Sequence, residues 1–174
     1  MGRIRTAALV AALALGGLAP AAHANQGIFG TWWHPNDTKG DGWGFGFRSK
    51  TQIAPLVSFD TRISWVKFKD DDLNVFPIEA TGMLRLGMIY AGIGVGYYFF
   101  DSNGATDLKN NFGWYGVGGI DIPAGPVGIF GEVKWMQLST DVKNVDTSIP
   151  NAPTSLSADG IGVNLGVMLS LPKM

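Results

Sequence analysis

The sequence predicts an all-β fold, an antiparallel up-and-down transmembrane β-barrel of about eight strands. Three observations predict it: apolar and polar residues alternate through most of the chain, long polar connections alternate with short ones, and aromatic residues gather beside the long connections. Successive side chains of an extended strand point to opposite faces, so the alternation gives each strand one apolar and one polar face. With an even number of strands, such a barrel closes with both ends of the chain on the same side.

The first 24 residues predict a cleaved signal peptide. Arg3 and Arg5 precede an apolar run of about 12 residues, well short of the ~20 that a membrane-spanning helix needs. Ala22-His23-Ala24 supplies a small-residue cleavage site. We therefore expect Sec-type export and removal of residues 1–24, which leaves residues 25–174 as one β-barrel domain in the cell outer membrane.

Composition excludes several classes of function. The chain has no cysteine, so disulfides, thiolate metal sites and cysteine catalysis are ruled out. Loss of Arg3 and Arg5 with the signal lowers the net charge from −1 to about −3, which argues against binding to nucleic acid. After residue 24 no apolar run reaches the length of about 18 residues that indicates a membrane helix. We expect neither a cofactor nor a bound metal.

Six segments show the alternation clearly. They are residues 43–48, 57–65, 78–86, 91–99, 127–135 and 161–170. In the second of them, the charged Asp60 and Arg62 alternate with apolar side chains, which a helix would scatter around its axis. Residues 28–33 and 112–122 are also predicted strands, but their alternation is mixed in phase and we assign no faces to them.

The connections between these segments alternate in length. The long ones are residues 35–41, 69–75, 101–111 and 141–156, and the short ones are residues 49–54, 87–88 and 123–126. Long external loops and tight periplasmic turns are typical of outer-membrane barrels. Aromatic residues near the long loops predict an interfacial girdle on the outer side. Its members are Trp32, Trp33, Trp43, Trp65, Phe99, Trp114 and Trp135.

Alternation alone does not say which face points outward, because a soluble lipocalin-like barrel has the same period with its faces exchanged. The polar faces are repeatedly glycine, as at Gly92, Gly94 and Gly96, and small residues suit a crowded lumen. We therefore expect lipid outside, and a lumen of about eight strands that is just wide enough to be filled by side chains. Paired charges would fill it as a salt-bridge network or line a narrow polar passage. The predicted network consists of Arg48, Asp60, Arg62, Glu79, Arg85, Glu132 and Lys134.

Three segments carry a resemblance to a known family: Gly-Val-Gly-Tyr-Tyr-Phe at 94–99, Gly-Glu-Val-Lys-Trp at 131–135, and Gly-Ile-Gly-Val-Asn-Leu-Gly-Val at 160–167. Together with the signal and the rhythm of strands and loops, they resemble the small bacterial outer-membrane β-barrel superfamily, the OmpA/OmpX/OmpW-like proteins. The resemblance implies a monomer that the outer-membrane assembly machinery inserts and that contacts outer-membrane lipid and lipopolysaccharide. It also implies a role in envelope integrity, in adhesion, or in the passage of small hydrophobic solutes. The glycine-lined polar face separately suggests a narrow pore for ions or small solutes.

Two other functions remain open. A soluble periplasmic barrel would bind an apolar ligand in its interior. The residues that would line that interior are Val57, Phe59, Ile63, Ile93, Val95, Val133 and Leu165. A lipid A-modifying barrel enzyme would use His34, the only histidine after residue 24, although no His-x-Ser pair accompanies it.

One acidic cluster is a candidate metal site in the sequence. Asp70, Asp71 and Asp72 are consecutive in the second long loop. A hard divalent cation needs several oxygens in a fixed cage, which a flexible triplet does not supply. We therefore interpret the triplet as part of a solvated loop.

Overall fold

The fold is built from antiparallel β-strands, as a computed structural model shows. The model describes residues 24–36, 40–69, 73–102, 110–141, 155–157 and 159–170. The predicted signal peptide, apart from Ala24, and the Asp70–72 triplet lie outside the described residues. Removal of residues 1–24 therefore stays a prediction.

Ten strands are present in the described part of the chain. They are β1 (Ala24–Pro35), β2 (Gly42–Ala54), β3 (Val57–Phe68), β4 (Leu73–Leu86), β5 (Ile89–Ser102), β6 (Asn111–Ala124), β7 (Val127–Gln137), β8 (Ser139–Asp141), β9 (Ser155–Ser157) and β10 (Gly160–Ser170). Eight of them form a closed barrel in the order β1-β10-β7-β6-β5-β4-β3-β2, and the short β8 and β9 pair only with each other. The predicted eight-stranded antiparallel barrel is confirmed.

The barrel closes where β1 pairs with β10, from Asn25 opposite Ser170 to Pro35 opposite Gly160. β1 begins and β10 ends at the same end of the barrel as the short turns, which we name the turn end; the opposite end is the loop end. Two of the turns contain glycines with positive φ, Gly87 at 64° and Gly125 at 71°, a conformation that side chains with a Cβ disfavour.

The predicted connection at residues 49–54 is wrong. These residues continue β2 and pair with β3 as far as Ala54 opposite Val57, and the turn is Pro55-Leu56. Residues 49–52 resemble a turn because all four are polar. Lys50 nevertheless belongs in the strand because it faces the lumen, while Ser49 and Thr51 have the outward phase near the turn end.

The apolar faces of the strands point away from the lumen. Ile93 is 76% exposed, Leu165 65% and Val133 53%, and bulky apolar residues of the same kind cover the outside of every barrel strand. A monomeric soluble protein rarely exposes so large a continuous apolar surface to water. The soluble alternative requires the seven residues named for its interior, Val57 and Val95 among them, to line the lumen. All seven lie on the outer face, which contradicts this requirement.

The strands without assigned faces have apolar residues on both faces. Phe29 and Trp33 of β1 point into the barrel, as do Tyr115 and Val117 of β6. Apart from His34, which follows Trp33, their outward neighbours are apolar or glycine as well, so the period-two contrast between polar and apolar residues is weak in these two strands.

A cluster of buried apolar and aromatic side chains fills the loop end of the lumen, and we name it the apolar plug. Its members are Trp33, Val66, Phe68, Val75, Tyr98, Tyr115, Val117, Met136 and Leu138. The inward glycines make room for it, since a Cβ at Gly94 would collide with the ring of Tyr115. Small residues on one strand therefore accommodate large aromatic rings from the next, at the packing density of a protein core.

Candidate functional site

The lumen holds most of the charges that the sequence assigns to it. Arg48, Asp60, Arg62, Glu79, Glu132 and Lys134 all point inward and are buried, Arg48 and Asp60 with no exposed surface. Cross-strand register places Arg62 of β3 between Arg48 of β2 and Glu79 of β4. The closure of the barrel then brings Glu132 of β7 across the lumen to the two arginines.

Four of these side chains form what we name the central ionic cluster: Arg48, Asp60, Arg62 and Glu132. Arg62 Nη2 donates to Asp60 Oδ2 at 2.7 Å and to Glu132 Oε2 at 3.0 Å, so one guanidinium bridges both carboxylates. Arg48 also donates to both, at 3.5 Å to Glu132 and in a closer contact to Asp60. Two cations thus face two anions with no net charge, the condition under which buried ions are tolerated.

Neutral side chains complete the coordination of Glu132. The Tyr90 hydroxyl donates to Oε2 at 2.7 Å, and the Asn164 amide donates to Oε1 at 2.7 Å. The Arg48 guanidinium also lies over the ring of Phe130, 4.1 Å from its centre. The central ionic cluster is therefore held by tyrosine, amide and aromatic contacts that the sequence analysis missed, although Tyr90 shares the inward phase of Gly92, Gly94 and Gly96.

A second ion pair lies between this cluster and the apolar plug. Lys134 Nζ donates to Glu79 Oε1 at 2.5 Å, and the Tyr98 hydroxyl donates to the same oxygen at 3.0 Å. Lys134 also lies over the ring of Tyr115, whose hydroxyl is 2.7 Å from Thr81 Oγ1. Tyr98 and Tyr115 belong to the apolar plug as well, so these two rings connect the charged and apolar layers.

Arg85, the seventh predicted member, does not join the central ionic cluster. It lies at the turn end with 30% of its side chain exposed, and its nearest carboxylate is that of Asp121, at 3.9 Å. The same carboxylate accepts a hydrogen bond from Lys50 at 2.5 Å. Neither Lys50 nor Asp121 was predicted to face the lumen, because Lys50 lies in the segment predicted as a turn and Asp121 in a strand without assigned faces.

Six of the seven predicted girdle residues lie on the outer face near the loop end. Trp43 is 60% exposed, Trp135 50% and Trp114 48%. Trp114 packs edge-on against Trp135, with 5.8 Å between the ring centres. Trp32, Trp65 and Phe99 lie on the same face and are partly buried. The assignment of Trp33 is wrong: it is 3% exposed and packs inside against Phe68, because neighbouring strand residues point to opposite faces.

His34 lies outside the barrel at the loop end, stacked on Trp32. Its Nδ1 is 2.7 Å from Asp41 Oδ1, and because a carboxylate can only accept, Nδ1 carries the proton. This hydrogen bond holds the pKa of Asp41 below its usual value. Among the described residues no hydroxyl side chain bonds to His34, so a nucleophile paired with a histidine base is missing from this part of the chain.

Removing one charge from the central ionic cluster is expected to destabilise the barrel strongly. Glu132→Gln leaves Arg48 and Arg62 sharing one carboxylate in a buried site, which costs about 3–5 kcal/mol in the free energy of unfolding. Urea titration of the refolded protein in lipid vesicles measures this, with Asp101→Asn, which removes an exposed carboxylate at the loop end of β5, as the control. An equal urea midpoint for the two variants would contradict a stabilising role for the Glu132 carboxylate.

Comparison with known proteins gives a likeness of fold. The sequence matches no protein-family model and no curated protein sequence. The structure is similar to that of Neisserial surface protein A, with a TM-score of 0.55 and 12% identity over 87% of this chain and 98% of that one. It also matches a designed transmembrane β-barrel (TM-score 0.47, 10% identity, 88% and 98% covered) and the Yersinia pestis outer membrane protein Ail (0.46, 9%, 83% and 99%). The fold is thus the predicted one, a transmembrane-type antiparallel β-barrel.

Proposed function

We propose that the chain is an outer-membrane β-barrel protein with a closed lumen and a structural role in the cell envelope. The turn end would face the periplasm, and the loop end, where the longer connections meet, would face outward. In this role the barrel is a rigid support that holds the outer connections at the membrane surface. Of the two functions that the sequence left open, an envelope component and a narrow pore, we favour the envelope component.

The filled interior is the observation that carries this proposal. From the turn end upward, the lumen contains the central ionic cluster, then the Glu79–Lys134 pair, then the apolar plug. Thr81, Tyr115 and Val75 have no exposed surface, and every described member of the two upper layers is buried. A passing ion would have to separate buried charge pairs and then cross apolar side chains, and both steps are costly.

The outer surface supports placement in a membrane. It is apolar over the middle of the strands, and its aromatic side chains gather toward the loop end, where a lipid interface would lie. The likeness to Neisserial surface protein A, which is by name a surface protein, is consistent with this placement. The predicted signal peptide supplies the route of export.

Cell fractionation tests the proposed location. We expect the protein in the outer-membrane fraction, with a gel mobility that changes on boiling because the closed barrel resists detergent until it is heated. A soluble periplasmic protein, included as a marker, should appear in the soluble fraction. Recovery of this chain with that marker, in the absence of detergent, would overturn the proposal.

Planar-bilayer recording tests the closed lumen. The refolded wild-type protein is expected to give no steady unit conductance, because both upper layers of the lumen are occupied. Insertion is verified independently by protection of the barrel from added protease. Reproducible conductance steps from inserted wild-type protein would favour the narrow pore instead.

A further inference from the structure

The turn end of the lumen contains a polar cleft that the closed-barrel function does not use. Its polar side chains come from four different strands and converge beside the Pro55-Leu56 turn. They are Asn25, Lys50, Gln52, Ser58 and Arg85. Asn25 and Arg85 also line a second cleft beside the turn of Gly125, so Arg85 forms a wall between two openings.

Arg85 has donors available in this cleft. Its Nε donates to the Gly87 carbonyl at 2.9 Å, which fixes the plane of the guanidinium. Its Nη2 lies 3.9 Å from Asp121 Oδ2, too far for a hydrogen bond. The Nη groups therefore present a charged fork at the opening of both clefts, and a guanidinium fork fits two oxygens of one oxyanion.

The charges around the cleft favour an anion. Lys50 and Arg85 are both cations, and Asp121 is the one carboxylate among the residues that line either cleft. Lys50 Nζ is bound to Asp121 at 2.5 Å and neutralises it, which leaves Arg85 as the excess positive charge. Lys50 is further held over the ring of Tyr90, at 4.5 Å from its centre.

A buried hydroxyl in the same cleft is an independent sign of a ligand. Ser58 is 3% exposed and lines the cleft, yet its Oγ has no hydrogen-bond partner among the described residues. Polar atoms buried to this degree are nearly always hydrogen-bonded in folded proteins. Five other buried side-chain atoms of the described residues also lack a partner, but among them only Asp121 Oδ1 belongs to a cleft-lining residue, and it is an acceptor. The Ser58 hydroxyl can donate to an oxyanion that Arg85 holds, so an occupant of the cleft would satisfy it.

We propose that this turn-end cleft binds a phosphate group, with Arg85 as the principal ligand and Ser58 and Lys50 as further donors. Phosphate fits because it offers several acceptor oxygens to donors that approach from different strands. Leu56 and Val57 form an apolar rim on the cleft, at the height where lipid headgroups would lie around an inserted barrel. The phosphate can therefore come from a phospholipid headgroup or from free phosphate, and both sources present the same chemistry to Arg85.

Titration with inorganic phosphate tests the site, using protein in a maltoside detergent and amide chemical shifts as the signal. We expect saturable shifts centred on Ser58 and Arg85. Arg85→Gln should weaken binding at least tenfold, and Arg85→Lys should retain part of it. Lys67→Gln, which removes a cation at the loop end of β3, is the matched control and should leave binding unchanged. Asp121→Asn should tighten binding, since among the described residues that line the two clefts it removes the one carboxylate.

A second titration with short-chain phosphatidylglycerol separates the two sources. Tighter binding than that of inorganic phosphate, with added shifts at Leu56 and Val57, identifies a lipid headgroup; equal or weaker binding identifies free phosphate. The absence of saturable shifts with either probe would overturn the proposal. So would equal affinity in the wild type and Arg85→Gln, once unchanged gel mobility before boiling shows that the variant is folded.

Discussion

The structure depends on the mutual neutralisation of four charges at the centre of the barrel. Arg48, Asp60, Arg62 and Glu132 come from three strands, and each is in contact with two members of opposite charge. None of these side chains can leave the lumen, because the outer faces of the strands are apolar. The cluster therefore requires that β7 lie opposite β2 and β3 across the lumen, which is the arrangement that a closed eight-stranded barrel provides.

The same requirement explains the distribution of residues around the cluster. The lumen of a small barrel is narrow, so large side chains such as Tyr90 and Tyr115 need glycines beside them. Hydrogen bonds from Tyr90 and Asn164 satisfy oxygens of Glu132 that the arginines do not occupy fully. Above these polar layers, in the described part of the chain, lies the apolar plug. Toward the turn end lie a smaller buried cluster of Phe29, Phe130 and Met168 and the two clefts.

Much of this architecture could be predicted, because alternation is visible wherever one face is apolar and the other is not. Arg48, Asp60 and Glu132 were assigned to the lumen from the phase of the alternation together with the glycines of the polar faces. The alternation gave no faces for β1 and β6, whose inward residues Phe29 and Tyr115 are as apolar as outward ones. The error at Trp33 was avoidable, since two consecutive residues of a strand cannot both belong to an outer girdle.

Other features depend on long-range geometry. Arg62 and Glu132 are 70 residues apart, and their contact follows from barrel closure and strand register rather than from any local pattern. The Lys50–Asp121 pair is of the same kind, and its members are 71 positions apart in the sequence. The polarity of residues 49–52 even favours a turn. Only the three-dimensional structure shows that these residues extend β2 and help to form the turn-end clefts.

The central claim is that the apolar face contacts lipid while the charged face is sealed inside, and spin-label accessibility tests it most directly. The chain has no cysteine, so single labels at Ile93, Val133 and Leu165 are clean probes of the outer face, with Asp101 as the loop-end reference. In lipid vesicles, we expect oxygen, which dissolves in the bilayer, to relax the labels at Ile93, Val133 and Leu165 more strongly than a water-soluble nickel chelate does. At Asp101 we expect the nickel chelate to have the stronger effect. Stronger relaxation by the nickel chelate at Ile93, Val133 and Leu165 would place water on the apolar face and contradict the account.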